Sequence, residues 1–497
     1  MPKIQAHKLK RKLLDEFKDF EDVDGVIQCK FCHVKMDRLK KSDFVQHSKT
    51  KKHRNNVQSI NEEIPNMNDG DREDIGIEQE MGTSPQKQFN EKLCRALLSA
   101  DIPLNKLSSI EFRNFLEEIS GKDMPDQSTL RKYYVQNVYK SKISKLRKKV
   151  AGKKLWVSID ETTDVEQRFV ACFVLGILGE EDERDKCYLG NMALLDAVNH
   201  STIAAFFNES LLQLWPDQIL YHNILVVTTD AAPYMLKAMR GLNVLYPKMI
   251  HITCIAHGLH RVAEMIRYNY SEVNRLISAA KTVFVKAPLR VQKFRDSYPE
   301  VPLPPLPVIT RWGTWLQAAV YHSTHLEKVS EVVLSFNAND AQCIAESQEL
   351  VNNVELKYSL SFISSKFSII PSTIEKLETR GLDLKTAINL MEQVETNLKK
   401  MYDQQYYKKL QAVMKKNKGF LVMKEINSLL SGKLKEAESE YVKQLSSSDI
   451  SAFRYAPLVS CDAERVFSAY KNVLADNRRR FLFDNLKQTM IIKCNNF

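Results

Sequence analysis

The stretch Leu155-Trp156-Val157-Ser158-Ile159-Asp160-Glu161-Thr162-Thr163-Asp164 decides the reading of this chain, because an apolar run breaks off there on a cluster of acids. Its β-branched and aromatic residues ask for a buried strand over 155–160. Two more runs of the same kind follow at 169–178 and 186–195, joined by the charged turn 179–185. Helical spacing then covers 201–214. A fourth strand at 224–229 leads into a helix through Met239, and a fifth at 249–255 into a helix from about His257.

The order βββαβαβα is that of a ribonuclease-H-like core, in which the fourth strand returns by a crossover to lie beside the first. Beyond it, 262–445 shows no strand series but long helical patterns at 274–286, 315–336 and 382–401, read as a large helical insertion interrupted by the Pro-rich connector 299–307. Within it, 399–424 carries eight Lys against the single acid Asp403. The final segment is amphipathic helix, with Val466, Phe467, Val473, Leu486, Met490 and Ile491 as its apolar positions. Toward the start, 90–149 has helical spacing broken by Pro103 and Pro125. Its last part, 130–155, holds ten Lys/Arg and no acid, which suits a solvated helix face or a phosphate-contacting one. Residues 61–81, with eight acids and one Arg, read as a linker.

The expected organisation is therefore multidomain α/β. It runs from a finger at 20–60 through an acidic linker at 61–89 to a helical DNA-binding or oligomerisation domain at 90–150. The first part of the core follows at 151–260, the helical insertion at 261–450, and core completion with a dimerisation region at 451–497. A chain of 497 residues with 44% hydrophobic and 27% charged residues can build several folded units and is neither disordered nor fibrous. The longest apolar run has ten residues against the roughly 20 of a membrane helix, and the basic start leads into no apolar signal core. Neither secretion nor membrane spanning is expected. Nine scattered cysteines, an odd number, argue for a reducing compartment. The net charge of +11 favours a polyanionic partner.

Cys29-x2-Cys32, fourteen residues, then His47-x5-His53 has the ligand types and spacing of a structural zinc site. Lys49, Lys51, Lys52 and Arg54 bracket the histidine end and offer charge to phosphates. With Phe31 and the run Gln46-His47-Ser48-Lys49-Thr50-Lys51-Lys52-His53, this segment resembles a BED-type zinc finger. Together with residues 99–106 and Leu130-Arg131-Lys132-Tyr133-Tyr134 it is similar to CGG triplet repeat-binding proteins, themselves similar to the front of hAT-superfamily transposases.

Asp160 ends the first strand and Asp230 the fourth, so neighbouring strands would bring both carboxylates to one sheet edge. Two such acids can share divalent cations for phosphodiester chemistry, although Asp after a strand is also a common turn residue or helix cap. Asp164 is a rival for the first ligand. Cys461-Asp462-Ala463-Glu464-Arg465-Val466-Phe467-Ser468, with Ala456-Pro457-Leu458 before it and Asn477-Arg478-Arg479-Arg480 after it, resembles the C-terminal dimerisation region of hAT transposases. That resemblance implies Asp160, Asp230 and Glu464 as catalytic ligands of Mg2+ or Mn2+. Cys254-Ile255-Ala256-His257 and Thr310-Arg311-Trp312-Gly313 match two further family segments, which implies that His257, Arg311 and Trp312 lie near the cleaved DNA end. A second zinc site from His251, Cys254, His257 and His260 is disfavoured, because a strand through Cys254 puts His251 on the other face. The chain departs from the family at Thr162, where many relatives carry an aromatic residue, at Cys461, where serine is expected, and in a shorter insertion.

The function expected from this resemblance is a nuclear hAT-type DNA transposase or a transposase-derived protein, with structural Zn2+, double-stranded DNA and a second copy of itself as partners, and no small-molecule substrate. The alternative is a domesticated, catalytically silent DNA-binding regulator that dimerises through its C-terminal region.

Overall fold

The computed structural model describes residues 17, 19–23, 26–30, 32, 34–36, 41–48, 50, 53, 84–308, 312–474 and 481–495. They belong to two compact units that divide between residues 81 and 82.

The first unit is a β-hairpin and a helix. Strands β1 (Phe20–Val23) and β2 (Val26–Cys29) pair antiparallel with Phe20 opposite Cys29, and α1 spans Lys41–Ser48. Among the described residues, Phe20, Ile27, Cys29 and Phe44 form its buried core, with Phe17, Cys32 and Met36 packed against it. So small an apolar cluster is one that a bound metal ion would stabilise as a cross-link.

The second unit opens with α2 (Pro85–Ser99), begun by the Ser84 hydroxyl accepting the Lys87 N–H and by proline at the first helical position. Helix α3 (Ile110–Ser120) ends on Gly121 at φ 60°, a left-handed residue that closes a helix at little cost. Helix α4 (Val135–Val150) then reaches the sheet.

Five strands follow: β3 (Lys154–Thr163), β4 (Phe169–Leu178), β5 (Tyr188–Leu195), β6 (Ile224–Thr229) and β7 (Ile250–Thr253). Their spatial order is β5-β4-β3-β6-β7. The first three make an antiparallel meander, while β6 lies parallel to β3 and β7 parallel to β6. The fourth strand of the sheet thus returns beside the first, as the order of elements leads one to expect. Helices α5 (His200–Leu214) and α6 (Pro233–Leu242) cover the face bearing Leu155, Val157, Ile159, Ala171 and Phe173. Helix α7 (Ile255–Asn269), the helical region beyond it and α10 (Cys461–Val473) cover the face bearing Trp156, Val170, Cys172 and Val174. Burial on both faces explains why these strands read as continuous apolar runs rather than as alternating ones.

The insertion is helical throughout its described residues, apart from its connectors. Helix α8 (Trp312–Leu334) and α9 (Lys418–Leu430) matter below. The chain returns through α10 and ends with α11 (Phe483–Cys494). Val466, Phe467, Val473, Leu486, Met490 and Ile491 are all buried within the chain, and Ile492 completes the core of α2 and α4. The chain is therefore mixed α/β and mostly helical around one five-stranded sheet. No helix among the described residues is long and apolar enough to cross a membrane.

Candidate metal centres and nucleic-acid interface

Cys29 closes β2 and His47 sits in the last turn of α1, so hairpin and helix each bring ligands to one point. One ligand atom from each of Cys29, Cys32, His47 and His53 lies within 4.8 Å of the others. His53 Nδ1 is 3.4 Å from Cys29 Sγ and 3.6 Å from Cys32 Sγ. A tetrahedral ion with the usual Zn–S and Zn–N lengths sets S···N edges of about 3.6 Å, so this donor set fits zinc. On the other side of the ring, His53 Nε2 meets Asp19 Oδ2 at 3.1 Å, which turns Nδ1 toward the sulfurs. Lys49, Lys51, Lys52 and Arg54, expected to contact phosphates, lie outside the described residues, as do Phe31 and residues 61–83 of the linker expected over 61–89, whose end from Pro85 is already helix α2.

Asp160 and Asp230 come near one another at the expected sheet edge, close enough for their charges to interact. Asp160 sits opposite Cys172 of β4, on the face that α7 and α10 cover. Asp230 follows the last residue of β6, and its Oδ1 accepts the Ala232 N–H at 3.1 Å, turning the chain into α6. Glu464 arrives from more than two hundred residues away because the segment before α10 is tied to the end of β7. Ile255 N–H donates to the Leu458 carbonyl at 3.1 Å, and Ser460 N–H points at Cys254 Sγ at 3.3 Å. His257 Nε2 then meets Glu464 Oε1 at 3.5 Å.

Electrostatics links Asp160 to Asp230 and His257, and His257 in turn to Glu464. Burial pushes the Asp160 carboxyl well above the usual carboxylate range, the negative charges of Glu161 and Asp230 push it further, and His257 pulls it back. Burial opposes a charge on His257, yet Cys254, Glu464 and Asp160 hold its pKa well above that of ordinary imidazole. Crowded hard oxygen donors whose mutual repulsion raises a pKa are a donor set that fits Mg2+ or Mn2+. Among the described residues, however, the only group of three or more ligand atoms mutually within 4.8 Å is the Cys29 cluster, so the three carboxylates are spread more widely than that.

Two residues at this edge escaped sequence reasoning. Glu161 points to the opposite face from Asp160 and accepts a hydrogen bond from the Tyr234 hydroxyl in the first turn of α6. Burial, partly offset by Tyr234, and the charge of Asp230 raise the Glu161 carboxyl. Strand alternation hides it, since a neighbour of Asp160 is expected on the wrong side. Asp164, the rival ligand, is committed elsewhere. Its Oδ1 accepts the Glu166 and Arg168 N–H groups at 2.9 and 3.0 Å, and its Oδ2 accepts Arg168 Nε at 2.8 Å and the Tyr470 hydroxyl at 2.9 Å. The disfavoured second zinc site does not form either: His251 Nε2 faces Thr229 Oγ1 at 2.8 Å, and His260 Nδ1 accepts the Gly313 N–H at 3.0 Å. Arg311 and the Trp312 side chain lie outside the described residues.

The basic stretch 130–155 divides in two. Arg147 donates to the Gln213 carbonyl at 2.7 Å, Lys149 pairs with Glu183 at 2.8 Å, Lys153 with Glu180 at 2.5 Å and Lys154 with Asp449 at 2.8 Å. Lys142 is buried and donates to the Asn495 carbonyl. Arg131, Lys132, Lys140, Lys145 and Lys148 remain exposed.

No curated protein matches the chain. Residues 125–283, which include α4, the whole sheet, Asp160, Asp230 and His257, match the family described as a domain of unknown function (DUF659). This domain is found in hAT-family transposase-like proteins, and the match supports the hAT superfamily.

Proposed function

We propose that the chain is a hAT-type transposase, or a descendant of one, that holds DNA through its N-terminal Cys2His2 unit, a BED-type finger, and cuts and joins DNA ends at Asp160, Asp230 and Glu464. One observation carries the reading: Asp160 and Asp230 lie at one edge of a sheet with the strand order of a ribonuclease-H-like core, and Glu464 reaches that edge through His257, which also acts on Asp160. Divalent cations held there, when bound, activate the attacking oxygen and stabilise the leaving one in phosphodiester chemistry. The protein's own part is to orient the three carboxylates and keep them apolar-walled on the sheet side. His257 pairs with Glu464 and with the field of Asp160, so it offsets negative charge at the edge. Glu161, held by Tyr234, is a fourth carboxylate at the edge and adds to the negative charge that bound cations would offset. Nuclear location and self-association belong to the same reading. Since the apolar residues of α10 and α11 are spent inside the chain, a second copy has to use their outward faces.

A second reading has one observation in its favour. The carboxylates are not drawn as close together as the Cys2His2 ligands, which suits a DNA-binding regulator whose core is a scaffold. Cleavage of supercoiled plasmid and of duplexes with candidate terminal repeats separates the two. Nicking or strand transfer that needs Mg2+ or Mn2+ and is lost in Asp160→Asn, Asp230→Asn and Glu464→Gln supports the transposase. Zinc-dependent DNA binding without cleavage supports the regulator.

A further inference from the structure

The lysine-rich turn between residues 413 and 419 is fixed against the end of β7. Asn417 is buried, its Oδ1 accepts the Thr253 N–H at 3.2 Å, and its Nδ2 donates to the Thr253 carbonyl at 2.6 Å. The same Oδ1 accepts the Phe420 N–H at 3.2 Å and starts α9. Gly419 lies so close to the strand that a Cβ would collide with the His251 carbonyl. Gly258, one residue beyond His257, faces Val413 and Met414 so closely that a Cβ there would sit 2.8 Å from Met414 Cε. The turn is thus clamped on both sides of the Cys254–His257 segment.

Around this buried pin, Lys415, Lys416 and Lys418 are exposed. None of the three forms an ion pair among the described residues, whereas Lys424, further along α9, pairs with Glu395 at 3.7 Å. Three ammonium groups held close together on a pinned backbone repel one another, and neighbouring acids leave that repulsion unrelieved. Such an arrangement suits a polyanion. Its place narrows the choice. β7 neighbours β6, which ends at Asp230, and β6 neighbours β3, which bears Asp160. With strands about 4.8 Å apart, the turn lies on the order of 10–15 Å from the carboxylates. One nucleotide rises about 3.4 Å along a duplex strand, so that span is about three or four nucleotides.

We propose that Lys415, Lys416 and Lys418 bind backbone phosphates of the DNA strand about three or four nucleotides from the bond presented to Asp160, Asp230 and Glu464. This inference rests on the DNA-processing reading above. Asn417 is the positioning residue, because it sets the turn against β7, and the lysines make the phosphate contacts without reading bases.

The test is the salt dependence of binding between the full-length chain and a 30-base-pair DNA duplex, read by fluorescence anisotropy. The comparison is the wild-type chain against Lys415→Gln/Lys416→Gln/Lys418→Gln, with Lys357→Gln/Lys366→Gln/Lys376→Gln as a control at three exposed lysines elsewhere. Loss of three phosphate contacts lowers the slope of log Kd against log salt by about 2.7, so the variant's deficit shrinks by about 40-fold between 50 and 200 mM salt. The control keeps the wild-type slope. Protection of Lys415, Lys416 and Lys418 from acetylation by bound DNA is expected alongside. Wild-type binding with an unchanged slope in the first variant, or an equal loss in the control, overturns the inference and leaves the DNA-processing reading standing. Failure of the wild-type chain to bind DNA at all overturns both. Tighter binding of an RNA duplex through the same lysines overturns the choice of DNA.

Discussion

At one edge of the sheet the Asn495 side chain accepts the Leu189 N–H at 2.8 Å and donates to the Leu189 carbonyl at 2.9 Å; at the other, Asn417 does the same to Thr253. Each amide takes the place of a sixth strand and blocks an edge that could otherwise pair with another chain. Asn495→Ala leaves the N–H and carbonyl of Leu189 without their side-chain partner. We expect a loss on the order of 2–4 kcal/mol, measured by urea unfolding. At the finger, Asp19→Ala frees the His53 ring and lowers zinc affinity by about 10- to 100-fold, measured by competition with a chelator. Neither asparagine stands out in the sequence, because nothing local distinguishes an amide that caps an edge from one on a surface. The Cys2His2 cluster was legible for the opposite reason: its spacing is itself the chemistry.

Helix α8 carries a buried histidine whose cost depends on pH. His322 is fully buried, neither of its ring nitrogens has a hydrogen-bond partner among the described residues, and burial, with His325 adding to it, lowers its pKa to about 4. The folded chain therefore keeps His322 neutral while the unfolded chain protonates it below pH 6.5. Stability is fully present above that value and is lost as pH falls from about 6.5 toward 4, by on the order of 3 kcal/mol for this group. His322→Leu should remove that share of the acid sensitivity and raise the melting temperature at pH 5, checked by thermal unfolding at pH 5 and pH 7.5. The strands were legible because burial on both faces left unbroken β-branched runs; β4 and β6 coincide with those runs, while β3 continues three residues past Asp160 through its acids and threonines. The helices of the insertion were legible as helix, but not their packing, since helical periodicity names an apolar face without naming what covers it. In 130–155 composition alone did not separate lysines that pair with Glu180, Glu183 and Asp449 from those left to solvent, because the partners lie far along the chain.

Across the whole molecule, the chain closes on itself. The last described helix packs against the first helical domain and against β5, and α10 carries Glu464 to strands formed three hundred residues earlier. This return explains why Asp160 and Asp230 could be paired from strand order alone, while Glu464 needed the resemblance of its motif. It also explains why Glu161 and Tyr234 became visible only once the sheet edge was assembled. Removing the terminal helix α11 should therefore unfold more than a tail: truncation before residue 483 is expected to expose the α2–α4 core and yield an aggregating chain, seen by size-exclusion chromatography. Whether Asp160, Asp230 and Glu464 act as one divalent-cation site can be measured without knowledge of the DNA sequence. Calorimetric titration of the zinc-loaded full-length chain with Mn2+ is expected to show saturable binding that Asp160→Asn, Asp230→Asn and Glu464→Gln each weaken at least tenfold without a change in fold. Mn2+ binding that is absent in the wild-type chain, or equal in all four proteins, would contradict a shared site.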